Sequence, residues 1–293
     1  MLRRLKAGMR RALGLHYLGR NLVVYPDDTF IVSYPKSGNT WTRFLVANLL
    51  HPETPADFGN INDLIPDPEA LTKRKIDAMP RPRMVKSHQY FDPRFPKVVY
   101  IVRDPRDVAV SQYHFHRKRR VIEDDFSIQL FVTRFIAGGA GIYGSWGENV
   151  ASWLATRYGS QNFLLLRYED LMTATLDELA KLASFLGTST DPALLSQAVA
   201  RSSADEMRRL EKTQARLWSS IRDTRPDVPF VRSAKAGGWK SELPEVSVVE
   251  LEVAWGSLMS WLGYQPVSSP SSPLDGERFS ASVLGGRSLD LRR

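Results

Sequence analysis

Four short apolar runs stand out along the chain, at residues 29–34 (TFIVSY), 84–86, 97–102 (KVVYIV) and 162–168 (NFLLLRY). They are rich in β-branched, aromatic and leucine side chains and are too short for helices, so each predicts a buried strand. Between them apolar positions recur at helical spacing. That spacing predicts helices over 40–50, 107–119, 126–137, 143–158, 170–186, 192–201 and 245–262. Pro105 and Pro244 stand just before two of these, where a missing N–H costs nothing. The glycine-rich stretch 138–144 parts the third and fourth. Residues 51–83, dense in Pro and Asp, read as a long irregular insert. Strands alternating with helices imply right-handed crossovers and a parallel sheet. The expected fold class is therefore α/β, with a small sheet covered by helices on both faces. No internal repeat is evident. Residues 1–20 predict a short basic amphipathic helix, with Leu2, Leu5, Met9, Leu13 and Leu15 roughly on one face. Residues 21–265 form the expected domain. Residues 266–293, with thirteen Ser, Pro and Gly among 28, read as a disordered tail.

Composition narrows the function. At 43% hydrophobic and 25% charged over 293 residues, the chain is globular, which excludes wholesale disorder and a fibrous fold. The absence of cysteine excludes a disulfide framework, a thiolate nucleophile, a Cys-ligated zinc and an iron–sulfur cluster. Five histidines are present and none forms HExxH, so no metal is expected. The net charge of +8 points to an anionic partner. Most of that excess sits in residues 1–20, where Arg3, Arg4, Lys6, Arg10, Arg11 and Arg20 face no acid. The remaining body is only mildly basic, so a nucleic-acid partner is not expected. Residues 1–20 suit a solvated helix docked on the body, or a weak peripheral contact with anionic lipid. No apolar run reaches 18 residues and no signal-peptide pattern is evident, so a cytoplasmic location is expected.

Candidate chemistry begins after the first strand, at Ser33-Tyr34-Pro35-Lys36-Ser37-Gly38-Asn39-Thr40-Trp41. Backbone N–H groups of Ser37 to Thr40 would open a helix, where the dipole favours an anion. Gly38 allows close approach, Ser37 and Thr40 add hydroxyl donors, and Lys36 brings a full charge. The pattern differs from GxxxxGK[ST], because Lys precedes Gly. No strand ends on a metal-holding acid either; KVVYIV is followed by Arg103. An ordinary βα loop would have the same pattern. A second motif puts Arg103 at a strand's carboxyl end and Ser111 about two turns into the following helix. Arg103 suits a forked grip on phosphate; a structural Arg–Asp cluster at a helix start is the alternative.

Together, YPKSGNTW and VYIVRDPRDVAVSQYHF closely resemble the sulfotransferases that use 3′-phosphoadenylyl sulfate (PAPS), above all the cytosolic small-molecule branch and its bacterial relatives. Further matches follow in order: Val85-Lys86-Ser87-His88, Tyr143-Gly144-Ser145-Trp146, Arg167-Tyr168-Glu169-Asp170, and Arg232 through Lys240. They run from about residue 29 to 262. The resemblance implies a P-loop-like parallel sheet, PAPS as donor, PAP as product, no metal, and a hydroxyl acceptor that is a small molecule, lipid or glycan. It implies a 5′-phosphosulfate cradle at Lys36, Ser37, Gly38, Asn39 and Thr40. Trp41 matches an aromatic packed on adenine, and Tyr168 a tyrosine near the adenine edge. Arg103 and Ser111 match the 3′-phosphate binders, and Arg232 an arginine of a late loop closing over that phosphate. The loop usually reads Arg-Lys-Gly; here it is Arg232-Ser233-Ala234, with Lys235 as the nearest substitute cation. Ala204 stands where Phe is often found beneath adenine, and Ser202 where Thr is common. The family's dimer motif is poorly matched after Lys240, which leaves the oligomeric state open.

Sulfuryl transfer needs an in-line nucleophile and a stabilised leaving phosphate. His88 is expected to take the acceptor's proton, with an unperturbed pKa near 6.5. Lys86, two residues earlier on a strand, would face the same cleft. Lys36 is expected to neutralise the bridging oxygen, and Lys86 to hold sulfuryl oxygens or orient the acceptor. The resemblance adds a gating role for Ser111, bonded to Lys36. Tyr143 and Trp146 are expected near the cleft, while residues 51–83 and 112–142 would choose the acceptor. His114, His116 and the basic run 117–120 suit either a solvated helix end or the rim of an acceptor site. The competing functions are a P-loop-type phosphotransferase, such as a small kinase, and a non-catalytic nucleotide-binding protein.

Overall fold

The computed structural model describes residues 22–232 and 234–267. The basic segment 1–20, Ser233, and the tail from residue 268 onward lie outside the described residues.

The first strand, β1 (Thr29–Ser33), leads through a tight loop into α1 (Asn39–Leu50). Two short helices follow, α2 (Ile61–Leu64) and α3 (Lys73–Asp77), before β2 (Met84–Ser87) and β3 (Lys97–Val102). Next come α4 (Pro105–Lys118), α5 (Ile128–Ile136), α6 (Trp146–Arg157) and β4 (Phe163–Arg167). The remainder is helical: α7 (Tyr168–Thr173), α8 (Thr175–Leu186), α9 (Pro192–Arg201), α10 (Ala204–Gln214), α11 (Trp239–Glu242) and α12 (Glu245–Trp261). The sheet is wholly parallel in the order β2-β1-β3-β4. The chain therefore leaves β1 toward one side for β2 and returns past it for β3, which makes β1 the switch point where such sheets open a crevice.

Strand periodicity divides the core. Phe30, Val32, Val98, Tyr100 and Val102 face one layer, packed with α4, α5, α6 and α12. Ile31, Val99, Ile101 and Leu166 face the other, packed with α1, α8, α9 and α10. At the amino ends of β1 and β2, Arg83 grips Asp28 through two bonds of 2.9 and 2.6 Å, with both side chains almost fully buried. Because all strand pairings are parallel, every carboxyl strand end lies at the opposite rim. Among the described residues no helix is long and apolar enough to cross a membrane.

Several boundaries differ from the expectation. The insert at 51–83 is largely irregular as expected, but it buries Phe58, Ile61, Ile65 and Ile76 and contains the short helices α2 and α3. Helices of four and five residues are too short to display a period. Helix α10 carries no prediction because only Met207 and Leu210 are buried among its charged residues. The expected helix 170–186 is broken at Ala174. The helix expected over 143–158 starts at Trp146, because Ser145 and Glu148 form a reciprocal cap. The strand expected to reach Tyr168 ends at Arg167.

Candidate active site

All four strands end on the same cleft. β1 runs into the Pro35–Asn39 loop, β2 into His88, β3 into Arg103 and β4 into Tyr168. The cleft has a volume of about 1220 Å³, and its walls include Lys36, Gly38, Asn39, Thr40, Trp41, Lys86, His88, Arg103, Ser111, Tyr168, Ala204, Arg232 and Ala234. Lys36 and Ser111 thus share one cavity, as a single ligand gripped at both ends requires.

The loop is tightly specified. Gly38 caps α1 at φ +101°, and an added Cβ would stand 2.5 Å from Tyr168 Cδ2. Lys36, a non-glycine residue, also lies at positive φ (70°), an uncommon conformation that clusters at functional sites. A Gly38→Ala variant combines left-handed backbone strain with the Tyr168 overlap. Its melting temperature is expected to fall by about 5–10 °C, measured by calorimetry; an unchanged melt would show that the loop is not built around this glycine.

Side-chain bonds hold the loop in place. Asn39 donates to the Ile31 carbonyl (3.1 Å) and Ser33 Oγ (3.3 Å), which leaves its buried Oδ1 without a partner. Arg103 donates to the Lys36 and Lys235 carbonyls, both at 3.3 Å, and its guanidinium lies 4.3 Å from the Tyr168 ring centre. Its buried Nε has no partner within the protein. Trp41 donates to the Ser202 carbonyl at 2.8 Å and meets Tyr168 edge-on.

Not every expected binder faces the cavity. Ser37 lies beneath the loop, its Oγ buried and unpartnered. Ser202 is fully buried, and its Oγ accepts from Asn48. It ends α9 behind the Trp41 indole and is not among the residues lining the cleft. Trp146 is also fully buried, packed on Trp255 in the far core layer. Tyr143 does line the cleft. Among the described residues Lys36 and Ser111 share no hydrogen bond; the Lys36 ammonium lies against the rings of Phe115 and Phe230. Arg232 reaches the cleft but pairs with Glu242, which also accepts from His114.

On the opposite wall, His88 Nδ1 is 2.7 Å from the Ser33 carbonyl. A carbonyl only accepts, so Nδ1 carries the proton and Nε2 is left as an acceptor. Burial, with Lys86 adding, lowers its pKa to about 3, well below the 6.5 expected from sequence. The imidazole is therefore neutral at physiological pH. Lys86 Nζ is 2.8 Å from Asp67 Oδ2, with only 12% and 5% of the side chains exposed. Tyr143 packs edge-on against His88 and donates to Glu69. Asp67 and Glu69 belong to the insert and were invisible in the sequence, where Asp67 is an acid between two prolines. Lys86 N donates to the Pro66 carbonyl, so the insert clips to β2 and delivers both acids. Among the described residues no cluster of three His, Asp or Glu side chains is placed to hold a metal ion.

A family model described as a sulfotransferase domain matches residues 26–262. Among curated proteins, the chain is 30% identical over 259 residues to 3-beta-hydroxysteroid sulfotransferase of Cavia porcellus, spanning 85% of this chain and 88% of that protein. It is 29% identical over 236 residues to sulfotransferase 1C2 of Homo sapiens, spanning 74% and 77%. Among solved structures, retinol dehydratase in complex with retinol and PAP matches with a TM-score of 0.67 at 24% identity, over 85% of each chain. A mouse sulfotransferase complexed with PAP matches with a TM-score of 0.63 at 23% identity, over 80% of this chain and 84% of that one. Those two likenesses bear on the fold.

Proposed function

The chain belongs to the sulfotransferase family, and from that premise we propose that it transfers the sulfuryl group of PAPS to a hydroxyl acceptor, with His88 as general base. One observation carries this reading: the ends of four adjacent strands bring a phosphate loop, an arginine and a histidine with a free Nε2 to one cleft.

The acceptor oxygen attacks sulfur in line with the bridging oxygen. The new O–S bond forms as the old S–O bond breaks, and its electron pair leaves on the 5′-phosphate of PAP. The acceptor's proton passes to His88 Nε2. Lys36 supplies the fixed cation that stabilises the leaving phosphate in a site shielded from water. Arg103 holds the 3′-phosphate, and its unpartnered Nε and fork-shaped head suit that role. The left-handed Gly38, which keeps the loop free of a Cβ, supports close approach of a phosphate. Trp41, braced by Ser202, offers adenine an aromatic wall, while Ala204 adds no second ring.

His88 is a weak base before the donor binds. A polyanionic donor favours the cationic forms of both His88 and Lys36, so its arrival raises the proton affinity of the base when transfer becomes due. Lys86 is paired with Asp67, so it meets the acceptor as a neutralised pair, not as a free charge for sulfuryl oxygens.

The relatives' names include hydroxysteroid sulfotransferases, and the class proposed for this chain is a small apolar alcohol. A phosphotransferase would need a carboxylate at the end of β3 to hold a metal; Arg103 stands there. Incubation with labelled PAPS and hydroxysteroids tests the reaction directly. Lys36→Ala is expected to lower turnover about 10²–10³-fold. Arg103→Ala is expected to weaken PAP binding about 10–100-fold, read from the PAP-induced thermal shift. No stabilisation of the wild type by PAP, and no label transferred, would refute the assignment.

A further inference from the structure

We propose that Phe115 and Phe230 form a two-ring clamp that positions the Lys36 ammonium and keeps it charged before the donor binds; this rests on the role given to Lys36 above.

Lys36 Nζ lies 4.3 Å from the centre of each ring. The rings are 6.0 Å apart and inclined at 73°, so the ammonium meets two aromatic faces at once. Such faces attract a cation, most strongly where water is excluded. The backbone is also fixed: Lys36 sits at positive φ, and its carbonyl accepts from Arg103. Only the side chain is left to adjust.

The electrostatic surroundings explain why such a clamp is needed. Arg103 after β3, Lys118 and His116 on α4, and Arg232 on the late loop all bear on Lys36 and disfavour its charge, His116 only when protonated. Burial works the same way and is the larger effect; together they lower the ammonium to about 7. Among the described residues, Glu211 on α10 is the acid whose charge bears favourably on Lys36, and it is already engaged. It accepts from Phe230 N (2.6 Å), Val231 N (2.9 Å) and Lys118 Nζ (3.1 Å). Among the described residues Lys36 has no ion-pair partner of its own. The two rings are the favourable contacts left to its charge.

The clamp's geometry is set by the same residues. Phe115 is fixed on α4. Phe230 lies on an irregular segment, but Glu211 holds its backbone, and Lys118 of α4 pairs with Glu211 while also bonding the Arg225 and Val228 carbonyls. Both jaws are therefore referred to one helix. Phe230 stands two residues before Arg232, so a single short segment carries one jaw and a cation of the cleft wall.

The test needs neither donor nor acceptor. Lysines of the empty protein are ¹³C-methylated, the Lys36 resonance is assigned with Lys36→Arg, and its titration is followed by NMR. Phe230→Leu and Phe115→Leu are each expected to lower the Lys36 midpoint by about 0.5–1 pH unit, whereas Phe230→Trp, which keeps a ring, restores it. An unchanged midpoint in either leucine variant that still melts cooperatively would overturn the clamp. If Phe230→Leu does not fold, Phe115→Leu gives the same answer. A protein that is not stabilised by PAP and transfers no label from PAPS would refute the sulfotransferase reading while leaving this titration unaffected, so the two failures are distinguishable.

Discussion

Replacing His88 with alanine is expected to lower turnover by about 10²–10⁴-fold, the usual contribution of a positioned base. Donor affinity should be nearly unchanged, because the residues proposed to grip the phosphates follow other strands. The argument rests on the tautomer. The Ser33 carbonyl at 2.7 Å fixes the proton on Nδ1, so the second nitrogen is ready to accept one. With a pKa lowered to about 3 by burial and by Lys86, the ring remains unprotonated throughout the neutral range. The rate at limiting PAPS, which reports the donor-free enzyme, should therefore show no acid limb near pH 6.5. The decline at higher pH should follow a group that must stay protonated, for which Lys36, lowered to about 7 by burial and Arg103, is the candidate. Steady-state kinetics and PAP titration of the variant check both parts. Full turnover in His88→Ala would remove His88 from the mechanism, whereas a wild-type rate that rises through pH 6–7 and loses that rise in the variant would overturn the lowered pKa.

Asp67→Asn should have the largest effect on stability. Asp67 and Lys86 form a buried pair at 2.8 Å, and Arg43 lies within electrostatic reach. Removing one partner of such a pair strands the other charge, which costs about 3–5 kcal/mol. Denaturant unfolding reads the difference. Its pH dependence follows from the shift. Burial pushes the Asp67 carboxyl up, but Lys86, Arg43 and hydrogen bonds outweigh it and bring the pKa down to about 2. A group lowered in the folded state stabilises fully above its unfolded value near 3.9 and loses that contribution as pH falls toward 2. The gap between wild type and variant should therefore narrow in acid and be widest near neutrality. A gap that is small or independent of pH would show that the pair contributes little.

Much of this site was legible beforehand because its chemistry is local. The loop from Pro35 to Thr40 needs a glycine at a left-handed position and a helix start, and both appear as consecutive residues. Arg103 follows a buried strand directly, and Lys86 and His88 are separated by the strand period. Errors arose where residues act across the fold. Ser202 and Trp146 read as cleft residues from their motifs, but packing turned one behind Trp41 and the other into the core. Asp67 lay in a segment without a period, where neither helix nor strand spacing could mark it.

Short apolar runs set between helically spaced stretches, with turn chemistry at the strand ends, were sufficient to determine the parallel α/β scaffold and the order of its candidate phosphate-binding motifs, since both depend on neighbours within a few residues. Tertiary structure alone decided the state of the charges. Lys86 meets an acid 19 residues away, Trp41 a carbonyl 161 residues away, and Lys36 two rings from separate elements. Burial, and the partners it leaves within reach, set whether a buried group keeps its proton, and no spacing along the chain encodes which distant side chains will close around it.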